Sequence, residues 1–265
     1  HRLMKNIIRL KKRFPYMVCV FITLSSCHPE KQDNTVRAEA IVNKYLHAIG
    51  GYEALQSIQS IIRVGTYIEP AYQLIMPART INKRPNKRMI GFLEGPVAEG
   101  YDGQQTWELI EGELKITDTI NHPHAVAASK RGAEFDESFI DAAKKNHRIT
   151  YMGDSILEQK KVSILQVVLN DGWVKKYYFD QQTGLLIAYK KAMPIHARGN
   201  AVESITYVSG YTRVNGVLFP LDIIERNTNT GKLMSASFMD SIVVNPEIDD
   251  SIFRVPLISK KSTKS

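Results

Sequence analysis

Residues with covalent or metal chemistry are scarce in this chain. Its 265 residues include two cysteines and seven histidines, and the sequence contains no H-E-x-x-H, G-x-S-x-G, P-loop or G-x-G-x-x-G motif. His122 and His124 are two residues apart, but no third histidine or cysteine lies close by, which disfavours a metal site. The apolar run Phe14–Leu24 is shorter than the ~20 residues that span a bilayer. We therefore predict a non-enzymatic protein with no metal site and no cofactor.

The N-terminal segment is typical of a secretory signal, because basic residues precede the apolar run Phe14–Leu24. The run ends in Leu24-Ser25-Ser26-Cys27, which resembles the lipidation site of bacterial lipoproteins. The resemblance implies that residues 1–26 are removed and that Cys27 carries a diacylglyceryl group and an amide-linked acyl chain such as palmitate, a stable membrane anchor. His28 follows in place of the aspartate that signals inner-membrane retention, so the outer membrane of a Gram-negative bacterium is the expected destination. The alternative is an ordinary signal-peptidase site with an incidental cysteine.

The positive charge of the chain is concentrated in this segment. The whole chain has 35 basic and 27 acidic residues, a net charge of +8. Six basic residues and no acidic residue precede Cys27, which leaves 29 against 27, a net charge of +2. A charge this small does not predict a nucleic-acid partner.

Three successive antiparallel strands are predicted in the middle of the chain, at Val162–Leu169, Trp173–Asp180 and Leu185–Tyr189, separated by turns that contain Gly172 and Gly184. Side chains alternate along a strand, so Trp173, Tyr177 and Phe179 share one face, and Lys175 lies in the same row. The opposite face carries Val174 and Tyr178. Apolar groups on both faces favour a sheet that is covered on both sides or that curls around apolar material.

The remaining pattern indicates one mostly-β domain with helices. Helices are predicted at Val36–Ile49, Tyr52–Ile58 and within His124–His147, and long strands at Ala201–Arg213, Val217–Asn227 and Lys232–Asn245. Alternation also predicts a strand from Ser60 and further strands at Tyr72–Met76, Arg79–Lys83, Lys87–Glu94, Ala98–Tyr101, Thr106–Ile110 and Leu114–Thr117. In the last strand, Phe238 shares a face with Ile242 and Val244. The predicted organisation is a signal peptide over residues 1–26, a tether over 27–35, a single domain over 36–256 and a disordered basic tail over 257–265.

Several short segments resemble the LolA/LolB-like superfamily of periplasmic lipoprotein-sorting proteins. They are Gly50–Leu55 after the first helix, Tyr177–Asp180 with Thr183–Leu186, Gly210–Pro220 and Asn245–Phe253. The resemblance covers most of residues 40–256 and implies an α+β fold, an unclosed antiparallel β-barrel wrapped around a helical plug or lid. It also implies an apolar cavity that holds acyl chains. A lipidated Cys27 departs from the soluble carriers of that superfamily and favours a membrane-bound acceptor or a lipid-binding lipoprotein.

Five aromatic residues are the candidates for lining such a cavity: Trp107, Trp173, Tyr177, Phe179 and Phe238. Each could equally fill the core between sheet and helices. The predicted function is transport or sorting of a lipid or acylated ligand in the cell envelope, with the membrane contacted through Cys27. The alternative is an interaction subunit of an envelope complex, with a filled core and a protein partner.

Overall fold

The structure is a computed structural model that describes residues 29–93, 97–110, 113–117, 123–194 and 201–256. The predicted signal peptide, Cys27, His122 and the predicted tail lie outside the described residues. Their predicted roles stay predictions.

Three α-helices lie in these ranges: α1 (Pro29–Ile49), α2 (Tyr52–Ser57) and α3 (Pro123–Ala133). Short 3-10 helices occur at Pro70–Tyr72 and Asp250–Phe253. α1 begins at Pro29, within the segment predicted as a tether, because proline is tolerated in the first turn of a helix. It ends at Gly50 and Gly51, whose φ angles of 121° and 102° glycine adopts readily. None of the helices in the described ranges is long and apolar enough to cross a membrane.

Fifteen strands make up the rest of the described fold. They are β1 (Ser60–Glu69), β2 (Leu74–Lys83), β3 (Lys87–Phe92), β4 (Ala98–Tyr101), β5 (Thr106–Ile110), β6 (Glu113–Thr117), β7 (Arg148–Leu157), β8 (Lys160–Val168), β9 (Val174–Asp180), β10 (Leu186–Pro194), β11 (Ala201–Ser209), β12 (Thr212–Val214), β13 (Val217–Phe219), β14 (Asp222–Asn227) and β15 (Leu233–Val244).

Thirteen of these strands form one sheet in the order β6-β5-β4-β3-β2-β1-β15-β14-β11-β10-β9-β8-β7. Neighbouring strands are antiparallel, and β6 and β7 are the two edges. The ends of the sheet therefore do not pair with each other. The predicted α+β class, an unclosed antiparallel barrel with helices, is confirmed.

The sheet differs from the sequence prediction in three places. β2 continues through Pro77, where the sequence predicts a break between Tyr72–Met76 and Arg79–Lys83. β7 was not predicted, because a bulge between Tyr151 and Gly153 interrupts its alternation. The long strands predicted at Ala201–Arg213 and Val217–Asn227 are each broken, so that β12 and β13 form a separate two-stranded ribbon. The breaks fall at Gly210, which has a φ of 65°, and at Pro220, which lacks the N–H that a ladder needs.

We call the face of the sheet that packs against α1 the inner face. It carries Ile61, Leu165, Tyr177 and Val208, which belong to one buried cluster together with Tyr45 and Ile49 of α1. α1 contacts β7 and the β12–β13 ribbon. The main core therefore lies between α1 and the half of the sheet formed by β7–β11.

The segment between α3 and β7, predicted as helical, is a succession of turns after Ala133. It inserts Phe139 and Ile140 into the core beside α1. Arg84 at the end of β2 holds this segment in place, since its Nη2 atom donates to Asp136 Oδ1 at 2.7 Å and to the Leu55 carbonyl at 3.2 Å. One arginine thus joins β2, α2 and the inserted turns.

Candidate ligand-binding face

Tyr177 and Phe179 lie at the centre of the packed core. Both are on the inner face, with 0% and 2% of their surface exposed. Phe139 meets the Tyr177 ring at a centroid distance of 4.9 Å and the Phe179 ring at 5.1 Å, and Tyr45 of α1 meets Phe179 at 5.6 Å, all near edge-to-face. Aromatic rings in this arrangement stabilise one another. Beneath α1 the inner face is therefore filled by the protein's own side chains.

Trp107 lies on the opposite, outer face. The register pairs Thr106 with Tyr101 and Trp107 with Gly100, so the two neighbours point to opposite sides of the sheet. Thr106 contacts Ser129 of α3 on the inner side. The Trp107 indole covers Gly100 and donates from Nε1 to the Phe253 carbonyl at 2.8 Å. Trp107 therefore attaches the C-terminal 3-10 helix to the outside of the sheet.

Phe238 is also on the outer face, and here the sequence interpretation was wrong. β15 has a bulge at Asp240, since Ser241 pairs with Val64 and Met239 with Gly65. An extra residue shifts the alternation, so Phe238 lies on the face opposite to Ile242 and Val244. The Phe238 side chain is 38% exposed.

Trp173 lies on the inner face, half-buried, next to the end of α3. The Arg131 guanidinium of α3 stacks 3.9 Å from the Trp173 ring centroid and forms an ion pair with Asp171. Earlier in α3, Ser129 contacts Thr106 of β5. α3 therefore bridges the two halves of the sheet, from β5 on one side to the β8–β9 turn on the other.

The inner face of the other half carries apolar side chains that are only half-buried. Tyr67 of β1 and Met76 of β2 face each other across the strands, and the Tyr67 ring lies 5.8 Å from the Phe92 ring of β3. Ile90 precedes Phe92 on the same face of β3. These four residues define what we call the apolar strip: Tyr67, Met76, Ile90 and Phe92. No aromatic cluster of the kind found under α1 covers the described part of the strip.

Charged side chains occupy the inner face between the core and the strip. Lys175 of β9 lies directly opposite Lys191 of β10, and Lys191 is 3.3 Å from Glu225 of β14. The Tyr177 hydroxyl donates to Glu137 at 3.1 Å. Apart from Lys175, these charges were not found from sequence, because they come together only through the pairing of distant strands.

Two arginines complete this charged region. Arg63 of β1 donates from Nη1 to Asn82 Oδ1 at 3.1 Å and stacks 5.9 Å from the Phe219 ring centroid. Burial and the nearby Arg88 of β3 lower the pKa of Arg63 to about 10. Arg88 in turn is 3.8 Å from Glu99 on the neighbouring strand. The four cations on β1, β3, β9 and β10 therefore outnumber the three carboxylates Glu99, Glu137 and Glu225 on this part of the inner face.

Two clefts among the described residues lie away from the strip. One, of about 260 Å³, is lined by Ile41, Lys44, Ser163, Phe179, Asp180, Gln181 and Gly184. The other, of about 390 Å³, is lined by Gln59, Ser60, Lys83, Asn245, Pro246, Glu247 and Ile248. The first includes one predicted cavity residue, Phe179, but is below the roughly 300–1,000 Å³ typical of ligand pockets.

The described residues also contain no group of three histidine, cysteine, aspartate or glutamate side chains arranged to hold a metal ion. The notable feature of the inner face is instead a concave surface with an apolar and a basic part. An open sheet of this topology, curled around helices, is the LolA-like half-barrel fold.

Solved structures place the chain in this fold class. A LolA superfamily protein of Nitrosomonas europaea superposes with a TM-score of 0.54 at 11% identity, covering 82% of this chain and 97% of the other. A DUF1329 family protein of Desulfovibrio piger gives a TM-score of 0.57 at 10% identity, covering 83% and 96%. A domain named for outer membrane lipoprotein sorting, from Vibrio parahaemolyticus, gives 0.53 at 11% identity, covering 84% and 97%.

No protein-family model matches the chain, and no curated protein matches its sequence. At identities of 10–11% the structural likeness establishes the fold alone.

Proposed function

We propose that this protein is an outer-membrane lipoprotein of a Gram-negative cell envelope, anchored through Cys27, that binds an acyl chain or another amphiphile on the inner face of its half-barrel. The binding is non-enzymatic and serves transport or sorting of lipid or acylated cargo. The lipidated N-terminus is proposed from the Leu24–Cys27 segment and the binding from the fold.

The apolar strip is the observation that carries the proposal. Tyr67, Met76, Ile90 and Phe92 lie on a concave face and remain half-buried, although apolar side chains at such positions normally pack against other elements. An acyl chain lying on the strip would gain about 25 cal/mol for each Å² of apolar surface removed from water. α3, which spans the two halves above this face, is positioned to cover the bound chain.

Uptake of fluorescent fatty acid, phospholipid and lipopeptide tests the proposal, with the chain from residue 27 carrying Cys27→Ser so that no acyl group is attached. We expect saturable uptake that Phe92→Glu abolishes, because the new carboxylate would have to lie against apolar cargo. Phe238→Glu is the matched control, since the same substitution is made on the outer face, and it should leave uptake unchanged. An absence of saturable uptake for all three probes would sink the proposal.

The filled aromatic core under α1 favours a second candidate, an interaction subunit of an envelope complex. Tyr45, Phe139, Tyr177 and Phe179 pack against one another there, so that the inner face beneath α1 is occupied by the protein's own side chains. Native mass spectrometry of protein purified without detergent separates the candidates. A co-purifying lipid that is lost on denaturation supports the carrier, and a clean apo mass together with a protein captured from envelope extracts supports the interaction subunit.

A further inference from the structure

One inner-face cation lacks the partner that a half-buried charge normally has. Within the described residues, the Lys175 ammonium forms neither a hydrogen bond nor an ion pair, and the centroid of the Tyr177 ring is 5.9 Å away. Lys175 is also directly opposite Lys191 in the ladder, and like charges in that position repel each other. Burial of its charge lowers the pKa of Lys175, and the nearby Glu137 carboxylate partly offsets this shift.

A buried hydroxyl on β11, two strands from Lys175, also lacks a well-formed hydrogen bond. Thr206 of β11 is 2% exposed, and its Oγ1 atom has no partner in good hydrogen-bond geometry. Burial raises the pKa of the neighbouring Tyr189 phenol, and an interaction with the Thr206 hydroxyl lowers it. Thr206 pairs with Tyr189 on one side and Glu225 on the other. Its neighbours in β11, Ser204 and Val208, confirm that it faces inward, since Ser204 donates to Glu225 and Val208 belongs to the core.

The basic groups of the inner face lie near one carboxylate, Glu137, which accepts a hydrogen bond from the Tyr177 hydroxyl next to Lys175 on the inner face. The negative charge of Glu137 raises the pKa values of Arg63, Lys175 and Tyr189, which lie on β1, β9 and β10. The positive charge of Arg88 lowers the pKa values of both Arg63 and Tyr189. The four cations Arg63, Arg88, Lys175 and Lys191 share this face with three half-buried carboxylates, Glu99, Glu137 and Glu225. The excess of positive charge attracts an anion.

The apolar strip continues directly from this basic region. On β3, Arg88, Ile90 and Phe92 follow one another along the inner face, and on β1 Arg63 is followed by Tyr67 on the same face. A molecule with an anionic end and an apolar chain would match both parts in one orientation, with its charge inside and its chain toward Phe92.

We propose that the ligand is a single-chain anionic amphiphile whose oxyanion head group, a carboxylate or a phosphate monoester, is held inside the half-barrel by Lys175 and Arg63. The head group accepts hydrogen bonds from the Lys175 ammonium and the Arg63 guanidinium, and its chain lies on the apolar strip. This inference rests on the proposed function and adds the chemistry and orientation of its ligand.

Isothermal titration with four ligands of one chain length tests the inference: laurate, dodecyl phosphate, methyl laurate and dodecanol. We expect laurate or dodecyl phosphate to bind at least about tenfold more tightly than the two uncharged ligands, as charge-assisted hydrogen bonds allow. Whichever of the two anions binds more tightly identifies the carboxylate or the phosphate as the source of the head group. This comparison uses the unmodified inner face and needs no substitution.

Lys175→Met should remove the preference for the anion while keeping the binding of methyl laurate. Lys176→Met is the matched control, because Lys176 is the next residue, exposed on the outer face, and should keep the preference. Far-ultraviolet circular dichroism verifies that each variant is folded, and Arg63→Met replaces Lys175→Met if the latter is not. Equal binding of charged and uncharged ligands, or an equal loss in Lys176→Met, overturns the inference and leaves the proposed function standing. Failure of all four ligands overturns both.

Discussion

The two halves of the sheet differ in what covers their inner faces. In the half formed by β7–β11, the inner face is covered by α1, and the rings of Phe139, Tyr177 and Phe179 are buried there. In the half formed by β1–β6, the buried indole of Trp107 lies on the outer face under the C-terminal 3-10 helix, and Phe92 on the inner face is half-buried.

This difference shows how an open barrel can be stable and still keep a concave surface free. One half obtains its core from helices inside the curl. The other half is secured from outside, where the C-terminal segment packs on β3 and bonds to Trp107. The surface left over is the apolar strip, which is where the ligand is proposed to lie.

The largest expected effect comes from breaking the filled half. Phe139→Ala removes a ring that is 1% exposed and contacts three other rings, and should cost about 3–5 kcal/mol of unfolding free energy. Phe92→Ala in the other half should cost only about 1–2 kcal/mol, because that ring is half-buried. Urea unfolding followed by circular dichroism measures both, and equal losses would remove the distinction between the halves.

A second variant tests the junction between the halves. Arg84→Met breaks the ion pair with Asp136 and the hydrogen bonds to the Leu55 and Ile58 carbonyls, and should cost about 2–4 kcal/mol because Asp136 is left buried without its partner. Adding Asp136→Leu should recover part of this loss in a double-mutant cycle. If the double variant is no more stable than the single one, the cost comes from the carbonyl bonds and not from the unpaired carboxylate.

A smaller, local effect is expected from freeing α3. Arg131→Ala removes both the stack on Trp173 and the ion pair with Asp171, contacts worth about 1–2 kcal/mol together. Hydrogen exchange within α3 should rise by about tenfold, and bound amphiphile should exchange faster while global stability changes little. Lys130→Ala, at the exposed neighbouring position, provides the control. Unchanged exchange in Arg131→Ala would show that α3 is held by other contacts.

The aromatic core on β9 could be predicted from the sequence because the signals for it are local. Gly172 and Gly184 mark the turns between β8, β9 and β10, and period-two alternation places Tyr177 and Phe179 together, as the structure confirms. The resemblance to the LolA/LolB-like superfamily supplied the open barrel, which strand patterns alone leave undefined.

The faces of the other side chains could not be predicted from local signals in this way. A bulge at Asp240 reverses the face of Phe238, and alternation does not reveal where an extra residue is inserted. Lys175 alone indicated a charged site in the sequence, since it interrupts the apolar row of Trp173, Tyr177 and Phe179. That Arg63, Arg88 and Lys191 join it depends on the order in which distant strands pair, and that order follows from tertiary structure.

The smallest expected effect concerns the ion pairs that join Asp250 of the C-terminal 3-10 helix to the outside of β2 and β3, and it appears as a pH dependence. Hydrogen bonds from Lys83 of β2, and then from Lys87 of β3, lower the pKa of Asp250 from 3.8 to about 2. A carboxyl whose pKa is depressed by folding contributes stability that is fully present above its unfolded pKa and is lost as pH falls through its folded pKa. The urea midpoint of the native chain should therefore exceed that of Asp250→Asn above about pH 4, and the difference should disappear as the pH falls toward about 2. A difference that persists at the lowest pH would mean that Asp250 acts through its shape in the 3-10 helix. Its charge would then not be what clamps the C-terminal segment to the outside of β2 and β3.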